Sequence, residues 1–528
     1  MRIYASDSQC RCCSVATLPR SSVRWFNVDD GARRHAGPES GTAHLVLATA
    51  AAVLAGVARL VPVLRGGGLA GLGNYDDGVY YASGTALLNG ILPYRDYVFL
   101  HPPGIVVMLA PFGLAGQDTT GLAVARVTWM LLGVINTVLV ARILRPVGLV
   151  EAAVGALFYA TAFPAIYIEW TPMLEGPAQT CVLWAILLLS RAERVGWHRS
   201  GCIVLAGALL GLSATFKIWG VVPVATVLVW LLARGRWRPA VQFMVGAFAA
   251  VTVICLPFFV AAPSQMWQMV VVDQLGRNRS AASISTRLVD IAAFGLHHGT
   301  AASGAAVAAT FGLYAALLAV AAGVREARLS VVLTLALTML LLASPSWFLH
   351  YPGLVTGPLA VAVGAGVGTT LRWLGDRRPW AGWAAGIVAA AVLAFAAAPV
   401  AGLRLGRTFP SAALTSGSAL ARFPCVTSDD PTALVALNVL SSNFDHGCRF
   451  VADLGGYSYQ LATQRGHWTP RARDERWQQI YLAYLASGQA SLPFRYAHTG
   501  ALSPSVETTI ASWIVLARSR GYALREPG

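Results

Sequence analysis

The residues best equipped to move a proton stand together at Asn74-Tyr75-Asp76-Asp77-Gly78-Val79-Tyr80-Tyr81. Two adjacent carboxylates just after an apolar block can be held so that burial and like charge raise one pKa, as a general base requires. The same run also reads as an Asp-Asp-Gly turn whose acids merely cap the next helix. A base needs cations opposite it if an anion is to leave. The chain offers Lys217, its only lysine among 39 basic residues, then Arg126 inside an apolar block, and Arg277, Arg279 and Arg287 in one polar loop. A lysine kept in so arginine-biased a chain suggests a task such as phosphate contact, although a snorkelling anchor at a helix end needs only a cation. An ionisable residue as deep in a span as Arg126 reads as functional, paired with the Asp site or with a lipid phosphate. The Arg277–Arg287 loop reads equally as a phosphate site and as a solvated face. Glu175 opens an apolar block, where the helix dipole favours an acid. Trp347 and Tyr351 fit an interfacial aromatic belt, and His350 beside them is a weak hint of a site. His101 needs to do no more than shape the Pro102-Pro103 turn. No His, Cys, Asp or Glu spacing forms a metal cage.

A membrane must position these groups. The chain has 528 residues, 56% apolar and 12% charged, with a mean hydropathy of +0.59; a soluble domain carries about 25% charged residues. A soluble enzyme, a disordered regulator and a coiled coil are excluded. The net charge of +15 does not point to nucleic acid, because the arginines recur in short clusters between apolar blocks rather than in one patch. Their excess over lysine, with abundant Ala and Gly, reads as the codon bias of a GC-rich bacterial genome.

Apolar blocks fall at Ala43–Val63, Gly121–Leu144, Ala152–Ile168, Thr171–Ser190, Gly201–Phe216, Ile218–Ala233, Pro239–Ala262, Ala301–Gly323, Leu329–Ala343, Tyr351–Leu371 and Ala381–Val400. The expectation is an α-helical polytopic membrane protein of about eleven transmembrane helices. With residues 1–42 as a cytoplasmic tail holding Cys10, Cys12 and Cys13, every short basic cluster falls on one side: Arg145, Arg191/Arg194/Arg199, Arg234/Arg236/Arg238, Arg325/Arg328 and Arg372/Arg377/Arg378. The positive-inside rule then puts the N-terminus inside and the C-terminus outside a bacterial cytoplasmic membrane. Residues 201–233 as one helix would run about 50 Å, so the chain must turn near Lys217, at the outer end of a hairpin.

The transmembrane module is expected over 43–400. Its first outside loop, 64–120, is long enough to hold an interfacial helix at Gly78–Gly90 and a short apolar segment at Gly104–Gly116. Residues 401–528 read as a small α/β extracytoplasmic domain, with strands at Pro424–Ser428 and Arg449–Asp453 and helices at Pro431–Leu440 and Asp474–Ala486. Cys425 and Cys448 lie there, on the oxidising side, as candidates for a disulfide.

The run Asp76-Asp77-Gly78-Val79-Tyr80-Tyr81, Asn89-Gly90-Ile91-Leu92-Pro93-Tyr94-Arg95-Asp96 and His101-Pro102-Pro103-Gly104 resembles the first-loop signature of GT-C glycosyltransferases. The branch it resembles is that of protein O-mannosyltransferases and lipid A aminoarabinose transferases. The motif covers about thirty residues, and the topology extends the resemblance over most of the chain. It implies a sugar donor carried on polyprenyl phosphate, an extracytoplasmic glycan, lipid or protein acceptor, and inverting displacement within cell-envelope or glycoconjugate synthesis. Asp76 matches the family's catalytic acid, and Asp77 stands where some members have Glu. The resemblance also implies donor-phosphate contacts at Lys217 and Arg126, with Arg277 and Arg279 as further candidates. Substrate contacts would fall to Tyr80, Tyr81, His101, Glu175, His350 and Tyr351. Some GT-C enzymes use a divalent metal ion, so that cofactor stays open. The sugar (mannose, or another hexose or pentose) stays open as well. A transporter or lipid-sugar flippase is the competing class, but it would place ionisable groups at the midplane of an internal repeat, and none is evident. An inactive scaffold for wall assembly is a third reading, against which the intact Asp pair argues.

Overall fold

A computed structural model describes residues 38–528 apart from 198–199, 293–303, 385, 388–389, 391–399, 401, 410–413, 415–419, 421 and 520. Its helices are α1 Pro38–Arg65, α2 Tyr75–Leu88, α3 Gly104–Leu109, α4 Thr119–Leu144, α5 Leu149–Thr161, α6 Phe163–Glu169, α7 Glu175–Val195, α8 Ser200–Phe216, α9 Val221–Ala233 and α10 Trp237–Ala261. Then come α11 Pro263–Trp267, a π-helical turn, α12 Asp273–Leu275, α13 Ile284–Ile291, α14 Gly304–Gly323, α15 Arg328–Ala343 and α16 Gly353–Arg377. Five of the described helices are long and apolar enough to cross a membrane, and the bent pair α5–α6 would make a sixth. The first ten expected blocks coincide with helices, several of them short. The eleventh, Ala381–Val400, lies mostly outside the described residues, as do the tail cysteines.

Close backbone approach holds the bundle together. A Cβ on Gly207 of α8 would lie 1.9 Å from the Phe243 carbonyl of α10, and one on Gly246 would lie 2.0 Å from that of Val204. Small residues at a helix crossing allow this contact in a membrane, where apolar side chains gain nothing by leaving lipid.

Two blocks differ from the straight spans expected. The Ala152–Ile168 block bends by 57° because Ala162 is extended and Pro164, which has no N–H, starts a new helix at α6. The Thr171–Ser190 block begins only at Glu175, after a turn. The expected break at Lys217 is present: α8 ends at Phe216 and Lys217 is extended, with φ −144° and ψ 129°.

After residue 422 the chain forms β1 Val426–Ser428, α17 Pro431–Ala436, α18 Leu440–Asp445, α19 Leu454–Arg465, α20 Glu475–Leu485, β2 Ala490–Leu492, α21 Pro504–Ser512, β3 Ile514–Ser519 and β4 Tyr522–Glu526. The mixed sheet has the order β1-β2-β4-β3, with β1 and β2 parallel and the other pairs antiparallel. Cys425 and Cys448 are disulfide-bonded. Two expectations fail here. Arg449–Asp453 is not a strand: Val451 and Ala452 are buried and Phe450 packs on Tyr97, so the apolar run is a packed extended segment without a ladder partner. The Pro431–Leu440 helix breaks after Ala436, at Asn438 with φ 56°.

Helix α2 lies between the bundle and this sheet region. Its buried Val79, Tyr80, Tyr81, Ala82 and Ala86 share one apolar cluster with Leu122 and Trp129 of α4 and with Val435, Leu440 and Ala452 of the C-terminal region. A Cβ on Gly78 would meet the Thr432 hydroxyl at 2.1 Å, so α17 sits directly on α2. The N-terminal turn of α2, with Asp76 and Asp77, therefore opens at the junction of three structural layers.

Candidate functional site

The two aspartates face different surroundings. Asp77 is fully buried. Its Oδ2 accepts from Arg126 Nη2 at 2.8 Å and from the Thr171 hydroxyl, and its Oδ1 accepts weakly from Thr432 at 3.4 Å. Arg126 spends its other donors on the carbonyls of Leu69 (2.6 Å) and Gly71 (2.8 Å) and on Thr171 (3.2 Å). Gly73 passes so close that a Cβ there would sit 1.9 Å from Asp77 Oδ2. Arg126 is thus a fully buried strut beneath α2, with four of its five N–H donors engaged within the protein.

The Asp76 side chain keeps 36% of its surface exposed. Burial of the surrounding site pushes its carboxyl up to about 6; Arg495 and Arg277 oppose the shift and Asp453 and Glu175 reinforce it. A carboxylate poised there is mostly ionised near neutrality yet still basic enough to take a proton in a transition state.

Around Asp76 the structure gathers several expected residues. His350 Nδ1 lies 3.9 Å from Asp76 Oδ2, and its Nε2 lies 3.7 Å from Glu175 Oε1. Lys217 Nζ donates to Glu175 Oε1 at 2.5 Å and sits 4.1 Å from the Tyr351 ring centroid and 4.7 Å from that of Trp219. Glu175 and Lys217 are both buried, so each charge depends on the other. Arg277, half-buried, donates to the Tyr351 hydroxyl at 3.4 Å and lies over Phe348 and Tyr459. Tyr80 and His101 form the adjoining wall: Tyr80 O–H and His101 Nε2 are 3.3 Å apart, and Gln274 Nε2 donates to His101 Nδ1 at 3.2 Å. Burial, then Arg277 and Lys217, hold the His101 imidazole well below its usual pKa, and hence neutral.

Other expected residues do not join the cluster. Tyr81, the next residue around α2, donates to the Gly116 carbonyl instead. Arg279 is exposed and makes no hydrogen bond or ion pair among the described residues. Arg287 donates to the carbonyls of Leu341, Leu342 and Ser344, closing the end of α15. An apolar hollow of about 620 Å³ lined by Thr42, Val46 and Leu149 lies at the other end of α1 and holds none of these groups.

The C-terminal region supplies residues that the sequence reading missed. The exposed Arg495 guanidinium lies 3.8 Å over the Tyr75 ring, and the Tyr75 hydroxyl donates to Asp453 Oδ1 at 3.0 Å. The loop holding Arg495 is fixed by buried Asp429, which accepts from the backbone N–H of Phe494 (2.6 Å), Arg495 (2.9 Å) and Tyr496 (2.8 Å) and from the Tyr481 hydroxyl (2.9 Å). No local spacing could reveal partners separated by more than 370 residues. Among the described residues no group of three or more His, Cys, Asp or Glu side chains gathers as metal ligands. The carboxylates around the site, Asp76, Glu175 and Asp453, are interleaved with Lys217, Arg277 and Arg495, a donor set that does not fit a divalent ion.

The arrangement is one part-exposed carboxylate facing several cations at one end of a helical bundle. Residues 99–345 match the model of Glycosyltransferase family 87. The fold is similar to that of ArnT from Cupriavidus metallidurans in the apo state, with a TM-score of 0.58 and 16% identity over 93% of this chain and 98% of that one. ArnT bound to undecaprenyl phosphate gives a TM-score of 0.57 at 15% identity, covering 92% and 98% of the two chains. The archaeal oligosaccharyltransferase AglB from Archaeoglobus fulgidus, in complex with an inhibitory peptide and a dolichol-phosphate, gives 0.55 at 13% identity over 92% and 74%. No curated protein matches the sequence. The chain has the fold of these membrane enzymes, built on several helices apolar enough to span a membrane.

Proposed function

We propose that the protein transfers a sugar from a polyprenyl-phosphate carrier to an acceptor on the extracytoplasmic side of a bacterial membrane, with Asp76 as general base. The observation that carries this reading is the contrast at the start of α2: Asp77 is consumed by its pair with Arg126, whereas Asp76 is open and faces cations. Structural neighbours bound to undecaprenyl phosphate and to a dolichol-phosphate support the donor class.

In the reaction an acceptor hydroxyl oxygen attacks the anomeric carbon while its proton passes to Asp76. The bond from that carbon to the phosphate oxygen breaks on the opposite face, inverting the centre. The departing phosphate gains negative charge, which Arg277 meets with Lys217 behind it. Preorganised cations of this sort stabilise the transition state more than the ground state. Arg495 closes the cluster from the C-terminal side and keeps Asp76 from becoming too basic to ionise.

The test supplies isolated membranes with a panel of labelled polyprenyl-phosphate sugars and, separately, nucleotide sugars. Transfer from a polyprenyl-linked donor to endogenous acceptor is the expected result. Transfer from the nucleotide sugars alone would overturn the donor assignment.

A further inference from the structure

His350 stands between two carboxylates, and the reaction just described leaves it without a role. Its ring stacks on Phe348, with centroids 5.5 Å apart and planes 4° apart, and meets Tyr351 edge-on at 4.9 Å, so its orientation is fixed by packing. In that orientation Nδ1 faces Asp76 and Nε2 faces Glu175, at 3.9 and 3.7 Å. No hydrogen bond to another described residue engages either nitrogen. Glu175 Oε2 is buried and lacks a hydrogen-bond partner among the described residues, while Oε1 takes the Lys217 ammonium.

Burial, Lys217 and Arg277 hold the His350 imidazole neutral. A neutral imidazole has one N–H and one lone pair, and the hydrogen bond at one nitrogen sets the role of the other. Glu175 Oε1, 3.7 Å from Nε2, is the carboxylate oxygen toward which an Nε2–H would point. We propose that Glu175 fixes His350 as the Nε2–H tautomer, so that the Nδ1 lone pair faces Asp76, disfavours its bare carboxylate and receives a hydrogen bond from Asp76 once it has taken the acceptor's proton. His350 is then a positioning residue that makes Asp76 a stronger base. The inference rests on the transferase reading. Only O–H and N–H hydrogen bonds change in this step; the proton stays on Asp76 and is later lost to solvent. That hydrogen bond requires the 3.9 Å separation in this structure to shorten when Asp76 is protonated.

The charges that face the pair from other elements are Glu175 at the start of α7, Lys217 before α9, Arg277 after α12, neutral His101 before α3, and Asp453 and Arg495 from the C-terminal region. Replacing His350 leaves all of them in place.

The test is the pH profile of kcat/KM for wild type, His350→Ala and Glu175→Gln with one polyprenyl-phosphate sugar. His350→Ala removes the lone pair and admits water, so the acid limb moves down from about 6 by roughly half to one unit, with the plateau about tenfold lower. Glu175→Gln removes a negative charge that itself raises the Asp76 pKa and turns a His350 N–H toward Asp76, so its limb moves down further than that of His350→Ala. If His350→Ala does not fold, His350→Phe, which keeps the stack on Phe348 and has no ring nitrogen, carries the test with the same expected downward shift. A lowered plateau with an unmoved limb, or a limb that moves up, overturns the proposal. Failure of the transferase reading appears separately, as absence of transfer by wild type or its persistence in Asp76→Asn.

Discussion

Asp76 and Asp77 are neighbours in sequence and opposites in environment: Asp77 is locked to Arg126 at 2.8 Å with no exposed surface, while Asp76 leaves 36% of its side chain open. Successive residues on a helix point about 100° apart, so one acid faces the bundle and the other faces the junction with the C-terminal region.

That division predicts a stability effect. Asp77→Asn leaves the Arg126 charge buried without its partner, which costs about 3–5 kcal/mol. Thermal unfolding in detergent should show a large drop in melting temperature for Asp77→Asn and a small one for Asp76→Asn. Equal melting temperatures would contradict the strut role of the Asp77–Arg126 pair.

The pH dependence has a definite sign. If Asp76 is the base it works ionised, and burial pushes its carboxyl up to about 6, so kcat/KM should rise as pH increases through 6 and flatten above 7. Arg495 pulls that pKa down. Arg495→Ala should therefore move the acid limb upward, the reverse of the shift expected for His350→Ala. A downward shift would remove Arg495 from the electrostatics of the site.

Arg277 is the half-buried cation of the site, with its donor resting on the Tyr351 hydroxyl at 3.4 Å. If it meets the leaving phosphate, Arg277→Gln should lower kcat by about a hundredfold, the scale for loss of one oxyanion-stabilising donor. Arg279→Gln, on the exposed loop, should stay within twofold. Steady-state transfer rates for the pair separate a specific cation from general loop charge.

Asp429 ties the C-terminal region to the site without touching it. Asp429→Ala removes the acceptor for three backbone N–H groups and the Tyr481 hydroxyl, at a cost of about 3–5 kcal/mol. Limited proteolysis should cut residues 490–500 faster in this variant, and transfer should fall because Arg495 loses its mount. Unchanged proteolysis would contradict the anchoring role.

Much of this was legible in the sequence where the signal is local. The α2 helix after a span and the break at Lys217 follow from block length and turn chemistry, and Cys425 and Cys448 stood out as a candidate pair whose bond the fold then shows. What was not legible depends on distance along the chain. Depth in a span marks Arg126 for pairing with either the Asp site or a lipid phosphate, and only the fold shows which carboxylate it meets, that of Asp77. Arg59 of α1, fully buried, pairs with Glu169 at 2.5 Å across 110 residues, with Asn136 and Tyr159 completing that carboxylate's shell; nothing near either residue announces it. The apolar run at Arg449–Asp453 has strand composition but no partner strand. Pro164 lies inside the Ala152–Ile168 block, and its place in the first turn of a new helix shows only in the bend itself.

The central claim is that Asp76 takes the acceptor's proton. Its most direct test is initial sugar transfer from a labelled polyprenyl-phosphate donor, comparing wild type with Asp76→Asn at matched expression and intact folding. The account predicts a loss of about a thousandfold, within the 10²–10⁴ range of a general base, with donor affinity little changed. Transfer within tenfold of wild type in Asp76→Asn would contradict it.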